Sequence, residues 1–280
     1  MNKINNINNV TDRLDSPVLS KQTIIDMEDM SFFTHALIFD DLLIVTQKET
    51  SCFVLKSSEG LIVIDAIWPS VKAYEAIIGA IKDVGWNPDL LYKLIITHGH
   101  VDHTGCGKWF VNNHNVKTYM SKIDDIYWAE HPTKPDRKET WKDYNINVYI
   151  NDKDIILCGD KKIHVYSTPG HTPGCLSYIF PVKDNGEQHM AAIFGGVTPP
   201  HNKSDIQTYL DSLDYFIKEA YEKNVDVALS NHTAIDNGLL RIAYSRERYS
   251  YMPNIYVVGY EGFKKYSQVF KTLSYNILAW

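Results

Sequence analysis

The sequence predicts an α/β protein in which two sheets lie between helical layers, and three observations carry the prediction. Apolar runs of strand length are bounded by turn residues, longer stretches repeat at helical spacing, and the two kinds follow in the order strands, helices, strands, helices. No linker, repeat or shift of composition breaks the middle of the chain, so residues 31–280 read as one domain. Residues 1–30, polar and rich in Asn, read as a flexible arm leading into it.

ALIFDDLLIVTQ from Ala36, SCFVLKSS from Ser51 and GLIVIDA from Gly60 read as successive strands joined by turn pairs such as Glu59-Gly60. In PSVKAYEAIIGAIKDVGW the period changes: a proline at the start, apolar residues at helical spacing and Gly85 as a stop predict a helix from Pro69. LYKLIITHGH returns to a buried strand ending in a histidine-rich turn, and KWFVNN from Lys108 continues as a short helix. The polar stretch HPTKPDRKETWKDYNIN, residues 131–147, carries two prolines and no clear period, as a surface loop or short irregular helix does. Strands resume with INVYI, DIILC, KIHVYSTPG, CLSYIF and MAAIFGG, ending at Gly196. SDIQTYLDSLDYFIKEAYEKN is a helix with Ser204 as its cap, DVALSNH is a short strand, and the rest is helical.

Composition narrows the function. Of 280 residues 44% are hydrophobic and 22% charged, which suffices for a full core. The formal charge is -6, from 28 basic and 34 acidic residues, so no field gathers phosphates and nucleic acid is not expected as a partner. No apolar run approaches the roughly 20 residues of a membrane-spanning helix, so no membrane association is expected either. Cys52, Cys106, Cys158 and Cys175 lie far apart with no Cys-x-x-Cys pair and read as buried thiols.

The chemistry concentrates in THGHVDHTG, Thr97 to Gly105, where a strand runs out. His98 and His100 alternate along an extended chain and can share a side, while Asp102 and His103 lie one turn further on and can reach a neighbouring point. That pattern suits two adjacent metals. Three core histidines satisfied by hydrogen bonds would be the bland alternative, and it would bury several polar rings side by side. His171 in STPGHTPG follows the strand KIHVY, and His232 in SNHT follows DVALS, so each sits at a strand end among small neighbours. His114, His131 and His201 lie in polar loops and read as solvent-facing. Tyr127, Trp128, Trp141 and Tyr144 read as core packing around the irregular loop. A substrate cleft is nevertheless expected near Trp68, His131, Trp141, Val197 and His201.

The sequence resembles the metallo-β-lactamase superfamily from about Ala36 to about Leu240, through GLIVIDA, THGHVDHTG, STPGHTPG, IFGGVTPP and LSNHT in the family's order. The resemblance implies a four-layer αββα sandwich with a dinuclear zinc site at one edge. By motif, His98, His100 and His171 would hold the first metal and Asp102, His103 and His232 the second, with iron or manganese able to take the same donors. Asp65 matches the family's aspartate that orients a ligating histidine, and Asp102 would orient the nucleophile and pass on its proton. Glyoxalase II enzymes, homoserine-lactone lactonases and phosphodiesterase relatives carry a bridging aspartate after the strand that matches MAAIFGG; here Gly195, Gly196 and Val197 stand there. The six-donor set without a bridge looks like the third subclass of metallo-β-lactamases.

The resemblance therefore implies a zinc-dependent hydrolase in which a metal-bound hydroxide attacks a carbonyl, with β-lactams or related cyclic amides as the small-molecule substrates. Lactones, thioesters or other esters on the same metal pair are the alternative, and a non-catalytic binding protein comes last. That subclass is normally exported, whereas MNKINNINNVTDRLDSPVLSKQ lacks the apolar segment of a secretory signal, so the expected compartment is the cytoplasm unless a leader is missing from this sequence. The aromatic segment GYEGFKKYSQVFKTLSYNILAW is expected to pack on the sandwich or to mediate self-association.

Overall fold

A computed structural model describes residues 31–130, 142–200 and 202–279. The arm expected at 1–30 and the cleft residues His131, Trp141 and His201 lie outside the described residues. Seven strands form the first sheet in chain order: β1 (Phe33–Phe39), β2 (Leu42–Gln47), β3 (Thr50–Ser57), β4 (Gly60–Ile64), β5 (Leu91–Ile95), β6 (Lys117–Met120) and β7 (Val148–Tyr149). Its first four strands are antiparallel hairpins, and β4 to β7 run parallel through helical crossovers. The second sheet has the order β12-β11-β10-β9-β8, from β8 (Ile155–Cys158), β9 (Lys161–Ser167), β10 (Leu176–Asp184), β11 (Glu187–Ile193) and β12 (Val227–Leu229).

Strand periodicity assigns the layers. Leu42 and Ile44 of β2, with Ile62 and Ile64 of β4, face β10 residues Leu176, Tyr178 and Phe180 between the sheets. Leu43, Val45, Leu61 and Val63 point to the opposite side, against α1 (Val71–Asp83) and the segment around Phe110. On the outer face of the second sheet, Ile179 and Phe194 meet Tyr209, Leu213 and Phe216 of α5 (Lys203–Glu222), and α8 (Gly259–Ala279) adds Phe263 and Phe270. The result is the expected αββα sandwich, and the aromatic carboxyl-terminal segment packs on it. Among the described residues, no helix is long and apolar enough to cross a membrane.

Local chemistry moves several boundaries. ALIFDDLLIVTQ is two strands rather than one, because Asp40 and Asp41 form the turn. Asp40 accepts the N–H groups of Asn185 and Gly186 at 3.2 and 2.8 Å. Asp41 accepts Lys183 N–H at 2.9 Å and pairs with the buried Lys161. The first long helix starts after Pro69, at Val71, with Ser70 Oγ accepting Ala73 N–H at 3.0 Å. In α5 the cap is Asn202, whose side chain accepts Ser204 N–H at 3.1 Å, not Ser204 itself. The remaining helices are α2 (Val101–Thr104), α3 (Gly107–His114), α4 (Lys122–Glu130), α6 (Thr233–Asp236) and α7 (Gly238–Glu247). All four cysteines are free and buried.

Candidate metal centre

Loops at one edge of the sandwich deliver the six expected donors. The first motif leaves β5 at Thr97, and His100 opens α2, which carries Asp102 and His103. His171 sits in the loop between β9 and β10, and His232 opens α6 just beyond β12. The turn between β2 and β3 clamps that last loop: Glu49 carbonyl accepts Thr233 N–H at 2.7 Å, and Ser51 N–H donates to Asn231 carbonyl at 2.8 Å.

These side chains fall into two triads, His98 with His100 and His171, and Asp102 with His103 and His232, each with donor atoms within 4.8 Å of one another. His171 Nε2 lies 3.1 Å from His100 Nδ1, and His103 Nε2 lies 3.2 Å from His232 Nε2. Tetrahedral zinc with Zn–N bonds of 2.0–2.1 Å separates neighbouring nitrogens by about 3.3–3.4 Å, so the spacing fits such an ion. Three outer nitrogens have the partners that metal ligation calls for. His103 Nδ1–H donates to Asp65 Oδ2 at 2.8 Å, and His171 Nδ1–H to the Thr198 carbonyl at 2.6 Å. His98 Nδ1 lies 3.0 Å from Thr97 Oγ1, whose own proton goes to Asp65. That leaves His98 Nε2 buried and without a hydrogen-bond partner, a lone pair aimed into the site.

Electrostatics set His103 apart from the buried imidazoles of His98, His171 and His232. Burial first, then the neighbouring imidazoles, push His98 well below the ordinary histidine value, and His171 down to about 3. Burial and the charge of His103 lower His232 to about 4. His103 moves the other way, because Asp102 and Asp65 outweigh its burial. Burial alone would raise Asp102, but His103, His232 and His100 hold it below the usual carboxylate range.

The bridging position is closed by packing. A Cβ on Gly196 would strike Cβ of His171, and one on Gly195 would strike the Leu176 carbonyl, so neither position can extend a ligating side chain without moving the site. Asp65 stands where the motif placed it, at the end of β4 with φ 61°. It gathers Thr97 N–H at 2.8 Å, the Thr97 hydroxyl, His103 and Asn231.

Several expectations are corrected. Val197 does not line the cleft: it is 1% exposed and packs with Phe194 and Tyr209 in the outer core. Trp68 is partly buried, and its carbonyl accepts the Cys106 thiol at 3.3 Å. His114 is not solvent-facing: its Nε2 meets the Tyr74 hydroxyl at 2.8 Å beside Phe110. Trp128 and Tyr144 do pack in the core, with ring centroids 4.8 Å apart. Tyr127 instead lines a cavity of about 390 Å³ beside His171, shared with Pro169, Thr172, Asp205 and Thr208, and its hydroxyl lies 3.3 Å from His100 Nε2. Two residues with no sequence motif join the site: Thr50, whose hydroxyl donates to Asp102 Oδ2 at 3.1 Å, and Asp124, which accepts Gly99 N–H at 2.8 Å. Burial raises the Asp124 carboxyl, opposed by its donors Thr172, Gly99 and Gly174.

Comparison with known proteins supplies the context. The family model described as metallo-beta-lactamase superfamily matches residues 45–184, half of the chain. A hydroxyacylglutathione hydrolase of Chelativorans sp. (strain BNC1) is 30% identical over 106 residues, 38% of this chain and 34% of that one. An N-acyl homoserine lactonase of Bacillus sp is 25% identical over 160 residues, 48% of this chain and 59% of that one. The chain thus spans about half the length of the curated relatives it matches. BJP-1, a subclass B3 metallo-beta-lactamase of Bradyrhizobium japonicum, superimposes with a TM-score of 0.75 at 21% identity, covering 88% of this chain and 94% of that one. At that identity the likeness is one of fold.

Proposed function

This chain belongs to the metallo-β-lactamase superfamily, and from that premise we propose that residues 31–280 form a di-zinc hydrolase of small cyclic amides, β-lactams first. The observation that carries the reading is the pair of triads, with no bridging side chain among the described residues, and at Gly196 His171 fills the space a Cβ would need. The same donor set characterises the third lactamase subclass in the resemblance, and the subclass B3 neighbour shares the fold. His98, His100 and His171 would hold one ion, and Asp102, His103 and His232 the other. Zinc, when bound, supplies Lewis acidity and lowers the pKa of water from 15.7 to about 7.

The chain's own residues direct that chemistry. Asp102 sits beside both His103 and His232, at 3.5 and 3.7 Å from their Nε2 atoms, so it can accept the proton released as a carbonyl is attacked and hand it to the leaving nitrogen. Thr50 donates to the Oδ2 of that carboxylate and fixes its plane. Asp65 keeps His103 in the tautomer whose Nε2 faces the site. The cavity beside His171, with Tyr127 on its wall, offers room for the rest of a small substrate.

The names of the two curated relatives favour a second reading, hydrolysis of a thioester or a lactone on the same metal pair. Against it stands the absent bridging aspartate. Protein purified without chelator should contain two zinc ions per chain by elemental analysis and should hydrolyse nitrocefin or a carbapenem, losing turnover on metal removal and regaining it with added zinc. Turnover confined to a homoserine lactone or an S-acyl glutathione selects the second reading. Undiminished hydrolysis by metal-depleted protein overturns both.

A further inference from the structure

We infer that Asp124 is a positioning residue that locks together the two loops of the first triad and thereby sets that triad's affinity for its metal, an inference that rests on reading the triads as metal sites. Its side chain is fully buried in the first turn of α4. Oδ2 accepts Gly99 N–H at 2.8 Å and the Thr172 hydroxyl at 2.6 Å, and Oδ1 accepts Gly174 N–H at 2.6 Å. Gly99 lies between His98 and His100, and Thr172 follows His171 directly. One carboxylate therefore spans the two chain segments that supply all three imidazoles.

The glycines show how close the docking is. A Cβ on Gly99 would lie 2.9 Å from the Asp124 carbonyl oxygen, and one on Gly174 would lie 2.6 Å from the Asp124 amide nitrogen. Helix backbone occupies the space that side chains would need, so both loops rest directly on the start of α4. The Ser121 hydroxyl accepts Asp124 N–H at 3.0 Å and fixes that turn. Every partner of the carboxylate is a donor. An asparagine of the same volume would turn its NH₂ toward at least one of them and lose that bond. The second triad has separate supports, Asp65 on His103 and Thr50 on Asp102, so the effect of Asp124 is confined to one metal equivalent.

The test is Asp124→Asn in two backgrounds that each retain one triad, with Zn²⁺ titrated against a chromophoric chelator. With His232→Ala, which leaves the first triad, the substitution should weaken zinc binding about ten- to hundredfold, as loss of an outer partner of metal ligands does. With His171→Ala, which leaves the second, affinity should stay within about threefold. Bound Co²⁺ should change its visible spectrum only in the first background. Should Asp124→Asn fail to fold, Thr172→Val carries the test in the same backgrounds, with a smaller selective loss that Thr172→Ser restores. Equal weakening in both backgrounds, or unchanged affinity in the first, overturns the inference while leaving the metal reading intact. Absence of zinc binding by the unsubstituted chain overturns that reading and this inference with it.

Discussion

His103 and His171 both turn an Nε2 into the site, yet their outer nitrogens are held by opposite kinds of partner. His103 donates to the buried carboxylate of Asp65, whereas His171 donates to the carbonyl of Thr198, a neutral group on a loop. Protonation differs too: burial, then the His100 imidazole, lowers His171 to about 3 although the Thr198 bond opposes the shift. At His103 burial is outweighed by the carboxylates of Asp102 and Asp65, which raise it above its ordinary value. The second triad is thus tied by charge to the end of β4, and the first is docked through backbone groups against α4. The candidate site is braced by two kinds of contact, which meet at Asp65.

The largest expected effect breaks the point where the two supports meet. Asp65 receives His103 directly and reaches His98 through the Thr97 hydroxyl, so Asp65→Asn should harm both triads together. The variant places an NH₂ among donors from Thr97, His103 and Asn231, and each buried donor left unpaired costs about 1–3 kcal/mol. Urea denaturation of the metal-free chain should show a loss of about 2–4 kcal/mol, and zinc titration should show both equivalents weakened. Weakening of a single equivalent would mean that Asp65 serves only one side.

The contrast also bears on what could be read from the sequence. The six donors were legible because each lies at the end of an apolar strand in a short motif whose spacing survives without knowledge of the fold. Thr50 and Asp124 were not, since their function arises from contacts across 52 and 25 or more positions of sequence, and a lone Thr or Asp carries no periodic signature. Layer order followed from period-2 apolar runs, but the Asp40–Asp41 turn was hidden because its partners Lys161, Lys183 and Gly186 come from the other sheet.

A smaller effect sharpens the electrostatic half of the comparison. In the metal-free chain His98 and His171 are neutral when folded and take up protons near pH 6.5 when unfolded, so their contribution to stability is present above that pH and is lost as pH falls from 6.5 toward about 3, the value to which His171 is lowered. His103 has the reverse sign: its contribution is complete below pH 6.5 and is lost as pH rises through its raised folded value. Each proton taken up only on unfolding is worth about 1.4 kcal/mol per pH unit. Calorimetry in chelator should therefore show the melting temperature dropping below pH 6.5, with a shallower drop in His171→Gln. Equal slopes for the two proteins would sink this account of the first triad.

The smallest effect isolates one bond of the second triad. Thr50 is fully buried at the start of β3, where Val has the same shape and an equal fitness for a strand, so Thr50→Val removes a hydroxyl and little else. Asp102 keeps its neighbours His103 and His232 but loses the donor on Oδ2, a bond worth about 1 kcal/mol. Because the lost bond restrains the ligand and not the fold, the cost should fall on metal binding more than on melting. Zinc titration should show about a fivefold weakening in the background that retains only the second triad, and no change in the one that retains the first. A loss of the same size in both would show that the turn between β2 and β3 holds the whole edge of the sandwich together, and that the Thr50 bond is not specific to the second triad.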